Sequence, residues 1–366
     1  MRGLAAPEWE TRLYCGPPRA GEGDYFALHG LDVRPNWIRS LRREAAPSRD
    51  ARALRDLVRQ FRAFGPHICD THLSKAGILG RLAARLAGVP IRIHTFHVNI
   101  FEGYDWRLGE RPIYLGLERW AARESDRLIC LSDELGAQLL ALGIGEPAQF
   151  RAINLGVDLA PFDGKQAQIA AARAQIRAEL KLLPDVPLVG IIARLAPVKS
   201  VKTALEAAAL LIQQRPDVHF VFVGEGETRP RLEALARELK IENHAHFLGL
   251  RADIARLNWA FDCVLLTSLQ EGTPISIIES LAASRPVVAT DVGGVKRLVK
   301  HERTGLLIPP RNPTATMRAI ARVLDEPRQA QSWGQCGRAL VQSEWSLERM
   351  LNQHRALYRE VLEEKL

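Results

Sequence analysis

Cysteine is sparse and unpatterned in this chain: five residues, at 15, 69, 130, 263 and 336. An odd number with no CxxC or other ligand spacing argues against a disulfide-stapled scaffold and against a structural zinc site. Cys15, Cys69, Cys130 and Cys263 fall within short apolar runs and read as buried, reduced thiols acting as small hydrophobes. Long hydrophobic runs are also missing. The longest, such as Val186 to Ala193 and Val218 to Val223, fall far short of the roughly 18 to 20 residues that a bilayer span demands. The opening residues lack the apolar core of a signal peptide, so the cytosol is the expected compartment. No repeat with a period of about 20 to 50 residues is visible, which excludes solenoids and propellers.

What is present is a chain of 366 residues, 47% hydrophobic and 25% charged, enough for two packed domains. The net charge of +8 favours polyanionic partners such as phosphates, anionic lipid or nucleic acid. From residue 11 to 340, short β-branched runs alternate with longer helical patterns, the signature of stacked βαβ units and parallel sheets. Expected strands are Thr11 to Cys15, Ile68 to Thr71, Ile91 to Thr95, Arg127 to Leu131, Leu188 to Ile192, His219 to Val223, Ala245 to Leu248, Cys263 to Thr267, Val287 to Thr290 and Gly305 to Ile308. The domain boundary falls in the Pro- and Ala-rich stretch 158–185. From Trp345 onward, apolar residues at Leu347, Met350, Leu351, Leu357, Tyr358, Val361 and Leu362 fit an amphipathic terminal helix that packs on the body of the protein.

Chemistry concentrates where strands end. After Cys263 to Thr267 comes Glu271-Gly-Thr-Pro-Ile-Ser-Ile-Ile-Glu279, with Thr273 suited to cap a helix and Pro274 to its first turn. Free N–H groups at that helix start make an anion site beside Glu271, and Glu279 is placed to accept two hydrogen bonds from a diol such as ribose. Both glutamates also fit ordinary solvated positions. Arg194 and Lys199 follow the strand Leu188 to Ile192 at its carboxyl end, where ligands bind in parallel sheets. Together they suit a diphosphate, or are two solvated loop cations. Val223-Gly-Glu-Gly is a partial dinucleotide fingerprint, but Arg229 occupies the third glycine position, so a tight strand-to-helix turn is the better reading and an NAD enzyme a poor one. In the first half, His72, Lys75 and His97 follow strands at the same edge, and the segment Glu102 to Trp106 is placed to line a pocket. Ser132 and Asp133 read as helix-capping residues.

Arg34 to Arg62 holds nine arginines with Trp37, Ile38, Leu41, Leu54, Leu57, Val58 and Phe61 interleaved. It reads either as a solvated arginine-rich helix face or as a surface that touches anionic lipid. No nucleic-acid fold signature accompanies it, and no nucleic-acid partner is expected.

These motifs, in this order, resemble glycosyltransferase family 4, retaining sugar transferases of GT-B architecture. The resemblance rests on Arg-Leu-Ala-Pro-Val-Lys at 194 to 199, Val-Gly-Glu-Gly at 223 to 226, Phe-Leu-Gly-Leu-Arg at 247 to 251 and the Glu271 to Glu279 motif. It implies an α/β fold of two Rossmann-like domains facing a cleft: 1–158 for the acceptor, 159–340 for the nucleotide sugar, and 341–366 returning to the first domain as a helix. It further implies that Arg194 and Lys199 hold the diphosphate, Glu279 the ribose, and Glu271 with Gly272 and Thr273 the transferred sugar. Leu250 and Arg251 would meet the base, and His97 matches the family histidine near the reacting sugar. Transfer would be metal-independent and cofactor-free, from a nucleotide diphosphate sugar, a UDP-sugar in preference to GDP-mannose. The acceptor would be a glycan or a lipid-linked molecule in cell-envelope polysaccharide synthesis.

Departures from the family pattern include Val98 where a glycine is usual after the histidine, and Ser284 in place of another glycine. The usual first strand and glycine-rich loop have no counterpart before Thr11, and Met1 to Pro7 resemble the tail of the helix that would follow them. The expectation is therefore either an N-terminally shortened form or a first domain with an open sheet edge. An inactive nucleotide-sugar-binding or scaffold protein is the alternative function, and an epimerase is disfavoured by the paired glutamates and Arg-Lys set.

Overall fold

The computed structural model describes residues 4, 8–18, 34–42, 44–101, 106 and 109–366. They form two compact units, residues 1–155 with 348–366 and residues 156–347.

In unit 1, strands β3 (Ile68–His72), β4 (Ile91–Phe96), β5 (Arg127–Cys130) and β6 (Phe150–Ala152) make a parallel sheet in that order. β1 (Tyr14–Cys15) and β2 (Asn36–Trp37) pair with each other as a separate parallel ribbon, and β3 pairs only with β4 among the described residues. β1 is shorter than the expected Thr11 to Cys15, while β2 and β6 are too short and polar to show in the sequence pattern. Helices α1 (Pro47–Phe64), α2 (Ser74–Ala87) and α3 (Glu110–Arg123) follow one another as neighbours, α2 touching both of the others. α1 buries Ala53, Leu57 and Phe61 and exposes Arg52, Arg55, Arg59 and Arg62. Those arginines recur at i, i+3, i+7 and i+10, a single basic stripe opposite the core-facing side. Most apolar residues of the Arg34 to Arg62 segment are thus spent inward: Ile38, Leu41, Leu57 and Phe61 are buried and Leu54 and Val58 partly so, while Trp37 is 40% exposed. α4 (Asp133–Ala141) follows β5, with Ser132 as its N-cap accepting from the Leu135 amide at 3.1 Å.

In unit 2, six parallel strands lie in the order β12 (Gly305–Ile308), β11 (Val287–Thr290), β10 (Cys263–Leu266), β7 (Leu188–Ile192), β8 (His219–Val223), β9 (Ala245–Gly249). Strand alternation supplies two cores. Phe220, Phe222 and Ile191 face α6 (Val201–Ile212), α7 (Arg229–Glu238) and α11 (Pro313–Asp325); Leu188, Val221 and Val264 face α5 (Gln166–Glu179), α8 (Ile254–Ala260) and α9 (Ile275–Ala282). The short α10 (Val295–Leu298) adds Val295 and Leu298 to the second core. α12 (Pro327–Glu344) remains with this unit, since Val341 and Trp345 are buried in it, so the return to unit 1 begins after Leu347 and not at 341.

The last helix, α13 (Leu347–Lys365), completes unit 1. Leu357, Tyr358 and Val361 cover Ile91, Ile93, Ile129 and Ile153. Around that apolar seam, Arg127 Nη2 bonds Glu360 at 3.0 Å and Glu364 at 2.6 Å, and the Tyr358 hydroxyl donates to Asp70 Oδ2 at 2.7 Å.

Cys69, Cys130 and Cys263 are buried in strands and free, and burial pushes the Cys69 thiol up to about 12 and Cys130 to about 11. No helix among the described residues is long and apolar enough to cross a membrane.

Candidate active site

The chain leaves β7 in one direction through β8 and β9, then returns to the other side of β7 as β10. Such a reversal opens a crevice outside the carboxyl ends of the two adjoining strands. Most residues singled out in this half gather there. β7 delivers the exposed Arg194, whose guanidinium has no ion-pair partner among the described residues. The turn Pro197–Lys199 follows. The Thr267 hydroxyl, just past β10, donates to the carbonyls of Lys199 and Ser200, both at 3.1 Å, and the Leu269 amide donates to Val198 O at 2.8 Å. These bonds fix the two loops to each other.

Across that seam Lys199 Nζ donates to Glu271 Oε1 at 2.7 Å, and the Ser268 hydroxyl reaches the same oxygen at 2.6 Å. The Glu271 side chain is only 8% exposed, so these two donors stand where water would otherwise bond it. Lys199 is therefore not a free cation beside Arg194: it is shared with the glutamate. A third loop closes on the same backbone. Thr290 Oγ1 donates to Ser268 O at 2.6 Å and the Gly294 amide to Glu271 O at 3.1 Å. A Cβ on Gly294 would stand 1.7 Å from the Gly272 carbonyl oxygen, which only glycine avoids. Ser268, Gly293 and Gly294 received no role from the sequence, although a Gly-Gly pair directly after a strand marks a close backbone approach.

α9 begins one residue later than expected. Pro274, not Thr273, is its N-cap, and no side chain caps its first amides. Proline fits because its fixed φ leads into the helix and it has no N–H to satisfy. The uncapped amides and the positive end of the helix dipole stay available to an anion. Glu279, one turn along, lies largely buried without an ion-pair partner among the described residues, and burial pushes its carboxyl up to about 7. At the far edge, a register shift lets Gly249 pair with Val223 and leaves Leu250 60% exposed. Arg251 is instead occupied. It bonds Asp253 at 2.8 Å and also Glu179, which raises its pKa further. The Val223-Gly-Glu-Gly stretch makes the expected turn, with Gly224 at φ 134° and its added Cβ only 2.1 Å from Ala193 O.

In unit 1, the carboxyl ends of β3 and β4 bring His72 and His97 together, Nδ1 to Nε2 at 3.1 Å. Burial first, then the neighbouring His72, lowers His97 to about 4, so it is neutral at physiological pH. Asp70 stands 3.8 Å from His72 Nε2. Lys75, expected at this edge, is engaged elsewhere: its Nζ pairs with Asp50 at 2.5 Å and donates to the Glu44 carbonyl at 2.6 Å, holding the start of α1. Of the segment expected to line a pocket, Glu102 to Asp105 lie outside the described residues, while Trp106 stacks on Phe101.

Residues 172–340 match the family described as glycosyl transferases group 1, and residues 1–156 match the glycosyl transferase 4-like domain. The UDP-Gal:alpha-D-GlcNAc-diphosphoundecaprenol alpha-1,3-galactosyltransferase of Escherichia coli is 33% identical over 298 residues, 80% of this chain and 76% of the relative. The alpha-D-kanosaminyltransferase of Streptomyces kanamyceticus is 29% identical over 318 residues, 84% and 81% of the two chains. Among solved structures, Anabaena HepE in complex with UDP-glucose superposes with a TM-score of 0.77 at 22% identity, covering 92% of this chain and 88% of that one. Sucrose-phosphate synthase from Thermosynechococcus elongatus gives 0.76 at 25%, covering 91% and 81%. With both halves matched and the parallel-sheet architecture shared, this chain is a glycosyltransferase of family 4 with the GT-B fold.

Proposed function

We propose that the chain transfers a hexose or N-acetylhexosamine, with retention, from a UDP-sugar to a glycan or lipid-linked acceptor in cell-envelope polysaccharide synthesis. The single observation that carries the donor assignment is the Lys199–Glu271 pair locked across the β7/β10 reversal, beside the exposed Arg194 and the start of α9, which no side chain caps among the described residues. In this reading Arg194 and Lys199 take the diphosphate, Glu279 the ribose hydroxyls, and Glu271 with the Gly272 and Thr273 backbone the transferred sugar. Leu250 borders the base, and Arg251, held by its carboxylates, contributes through its backbone. His97 is assigned to the reacting sugar as a neutral hydrogen-bonding group. As the anomeric C–O bond breaks, its electron pair goes to the diphosphate, where two cations and the helix end stabilise it. The acceptor hydroxyl attacks from the same face and its proton passes to the departing phosphate oxygen. The name of the Escherichia coli relative supports both the UDP-sugar and the lipid-linked acceptor. The basic stripe of α1 is assigned to peripheral contact with an anionic membrane. No observation favours an inactive binding protein.

Calorimetric titration with UDP and GDP, followed by donor hydrolysis and transfer assays, tests this. UDP is expected to bind more tightly. Arg194→Ala is expected to lower turnover more than UDP affinity, and Glu279→Ala to weaken binding itself. Wild-type affinity and rate in both variants would remove the assigned site.

A further inference from the structure

Three histidines of unit 1 meet at one sheet edge, and the two faces of the sheet use them differently. Side chains alternate along a strand, and β3 and β4 run in parallel with Thr71 opposite His94 and His72 opposite Thr95. On the face toward α2, His94 is 1% exposed, its Nδ1 lies 2.9 Å from the Thr71 hydroxyl, and an added Cβ on Gly77 of α2 would stand 2.3 Å from the ring. That histidine is sealed into the packing. On the face toward α13 lie Asp70, His72 and Thr95, with His97 just past the end of β4.

These side chains form a continuous series of contacts. Asp70 accepts from the Tyr358 hydroxyl of α13 at Oδ2, 2.7 Å, and from the Thr95 hydroxyl at Oδ1, 3.4 Å. The carboxylate is thereby held in place, with Oδ1 3.8 Å from His72 Nε2, while Nδ1 of the same ring lies 3.1 Å from His97 Nε2. A carboxylate beside Nε2 favours the His72 proton there. His72 Nδ1 is then a lone pair, and a bond between two ring nitrogens needs one proton between them, which His97 supplies from Nε2. Because His97 is neutral at physiological pH, its other nitrogen, Nδ1, carries no proton.

The turn after β3 keeps His72 in this place at a conformational cost. Leu73, the next residue, sits at φ 65° and ψ 160°, a backbone geometry that residues other than glycine rarely adopt. Its surroundings impose it: the Ser74 hydroxyl donates to Glu118 Oε1 at 3.1 Å, Glu118 also accepts from Arg81 at 2.6 Å, and the Leu73 carbonyl accepts from the Gly77 amide at 2.8 Å. Strain of this kind clusters where geometry serves function.

We propose that His72, with Asp70 behind it, is a positioning residue that fixes His97 in its Nε2–H tautomer, so that the ring offers Nδ1 to the reacting sugar as a hydrogen-bond acceptor and not as a donor. This rests on the assignment of His97 to that sugar under the proposed function, and deepens it. The ring then holds a sugar hydroxyl and gives no proton to the departing phosphate.

Histidine-selective isotope labelling of the full chain, read by long-range proton–nitrogen correlation at neutral pH, identifies the protonated nitrogen of each ring. In the wild type, His72 and His97 should both carry the proton on Nε2. In Asp70→Asn the amide donates to His72 Nε2, so the His97 proton should move to Nδ1. Turnover of a UDP-sugar is the second readout. His72→Ala should lower kcat about tenfold, the worth of one hydrogen bond in the transition state, with donor KM, UDP affinity and melting temperature unchanged. His72→Asn, whose side-chain oxygen restores an acceptor near the lost Nδ1, should recover most of that loss. Thr71→Val, which breaks the His94 contact on the other face, is the structural comparison and should lower the melting temperature at wild-type kcat. A wild-type His97 protonated on Nδ1 would overturn the proposal, as would undiminished kcat in His72→Ala or a loss that His72→Asn does not recover. Undiminished turnover in His97→Ala would instead strike the assignment of His97 to the sugar, and the spectra would still decide the tautomer.

Discussion

Glu279 is the residue whose environment departs furthest from its ordinary chemistry among the assigned donor contacts. A carboxyl raised from 4.5 to about 7 by burial is more stable folded when protonated. Its contribution is complete below the unfolded value of 4.5 and is lost as pH rises through 7. Glu279→Gln removes that penalty, so the variant should be more stable than the wild type at pH 8.5, by about 1 to 3 kcal/mol, and nearly equal to it at pH 4. Urea denaturation at the two pH values measures this. The same titration should govern ligand binding: an ionised carboxylate accepts two hydrogen bonds, so UDP affinity should climb between pH 6 and 8 in the wild type and stay flat in the variant. Equal pH dependence in both chains would show that the ribose is held elsewhere. His97 lies at the other extreme, a base kept neutral by burial and by His72, and contributes no charge across that pH range.

At the scale of elements, the Arg81–Glu118 pair joins α2 to α3 with both side chains essentially sealed from water, 0% and 1% exposed. Removing one partner strands the other. Arg81→Met should cost about 3 to 5 kcal/mol, while Arg81→Met/Glu118→Leu should recover most of it; chemical denaturation of the two variants is the comparison that decides. Neither residue stood out in the sequence, because an arginine and a glutamate on successive amphipathic helices read as solvated faces until the packing shows them meeting. The same limit applied elsewhere. Long β-branched runs such as Leu188 to Ile192 and His219 to Val223 were legible to the residue, since a fully buried parallel strand has no other use for that composition. The two-residue β2 and the three-residue β6 were not, having too few side chains to establish a period. In the candidate site, Arg194 and Glu271 could be singled out from their places after strands, and Glu279 from the helix that follows. The sharing of Lys199 with Glu271, the Ser268 hydroxyl and the Gly294 approach could not, because they arise only when three loops converge. Thr273 was displaced as cap by the proline beside it, and Arg251 was claimed by Asp253 and Glu179, carboxylates that the linear motif does not contain.

Each unit of the whole molecule owns its hydrophobic core, and the last helix belongs to the first unit's. Leu357 and Val361 are 4% and 0% exposed against Ile91, Ile93, Ile129 and Ile153. Truncating them opens a cavity in that seam, and each substitution should cost about 1 to 4 kcal/mol. Those side chains belong to the core of unit 1, and the β7/β10 loops to unit 2. Leu357→Ala/Val361→Ala should therefore lower the calorimetric transition of unit 1 and leave UDP affinity within about twofold of wild type. Saturating UDP should in turn raise the transition of unit 2, by the mass-action stabilisation that a ligand gives only to the folded state it binds. The ionic rim of Arg127 with Glu360 and Glu364 is partly exposed and adds little by comparison, so high salt should not reproduce the effect of the double truncation. A fall in UDP affinity matching the fall in stability would mean that the two cores unfold as one, and the donor site would then depend on the terminal helix.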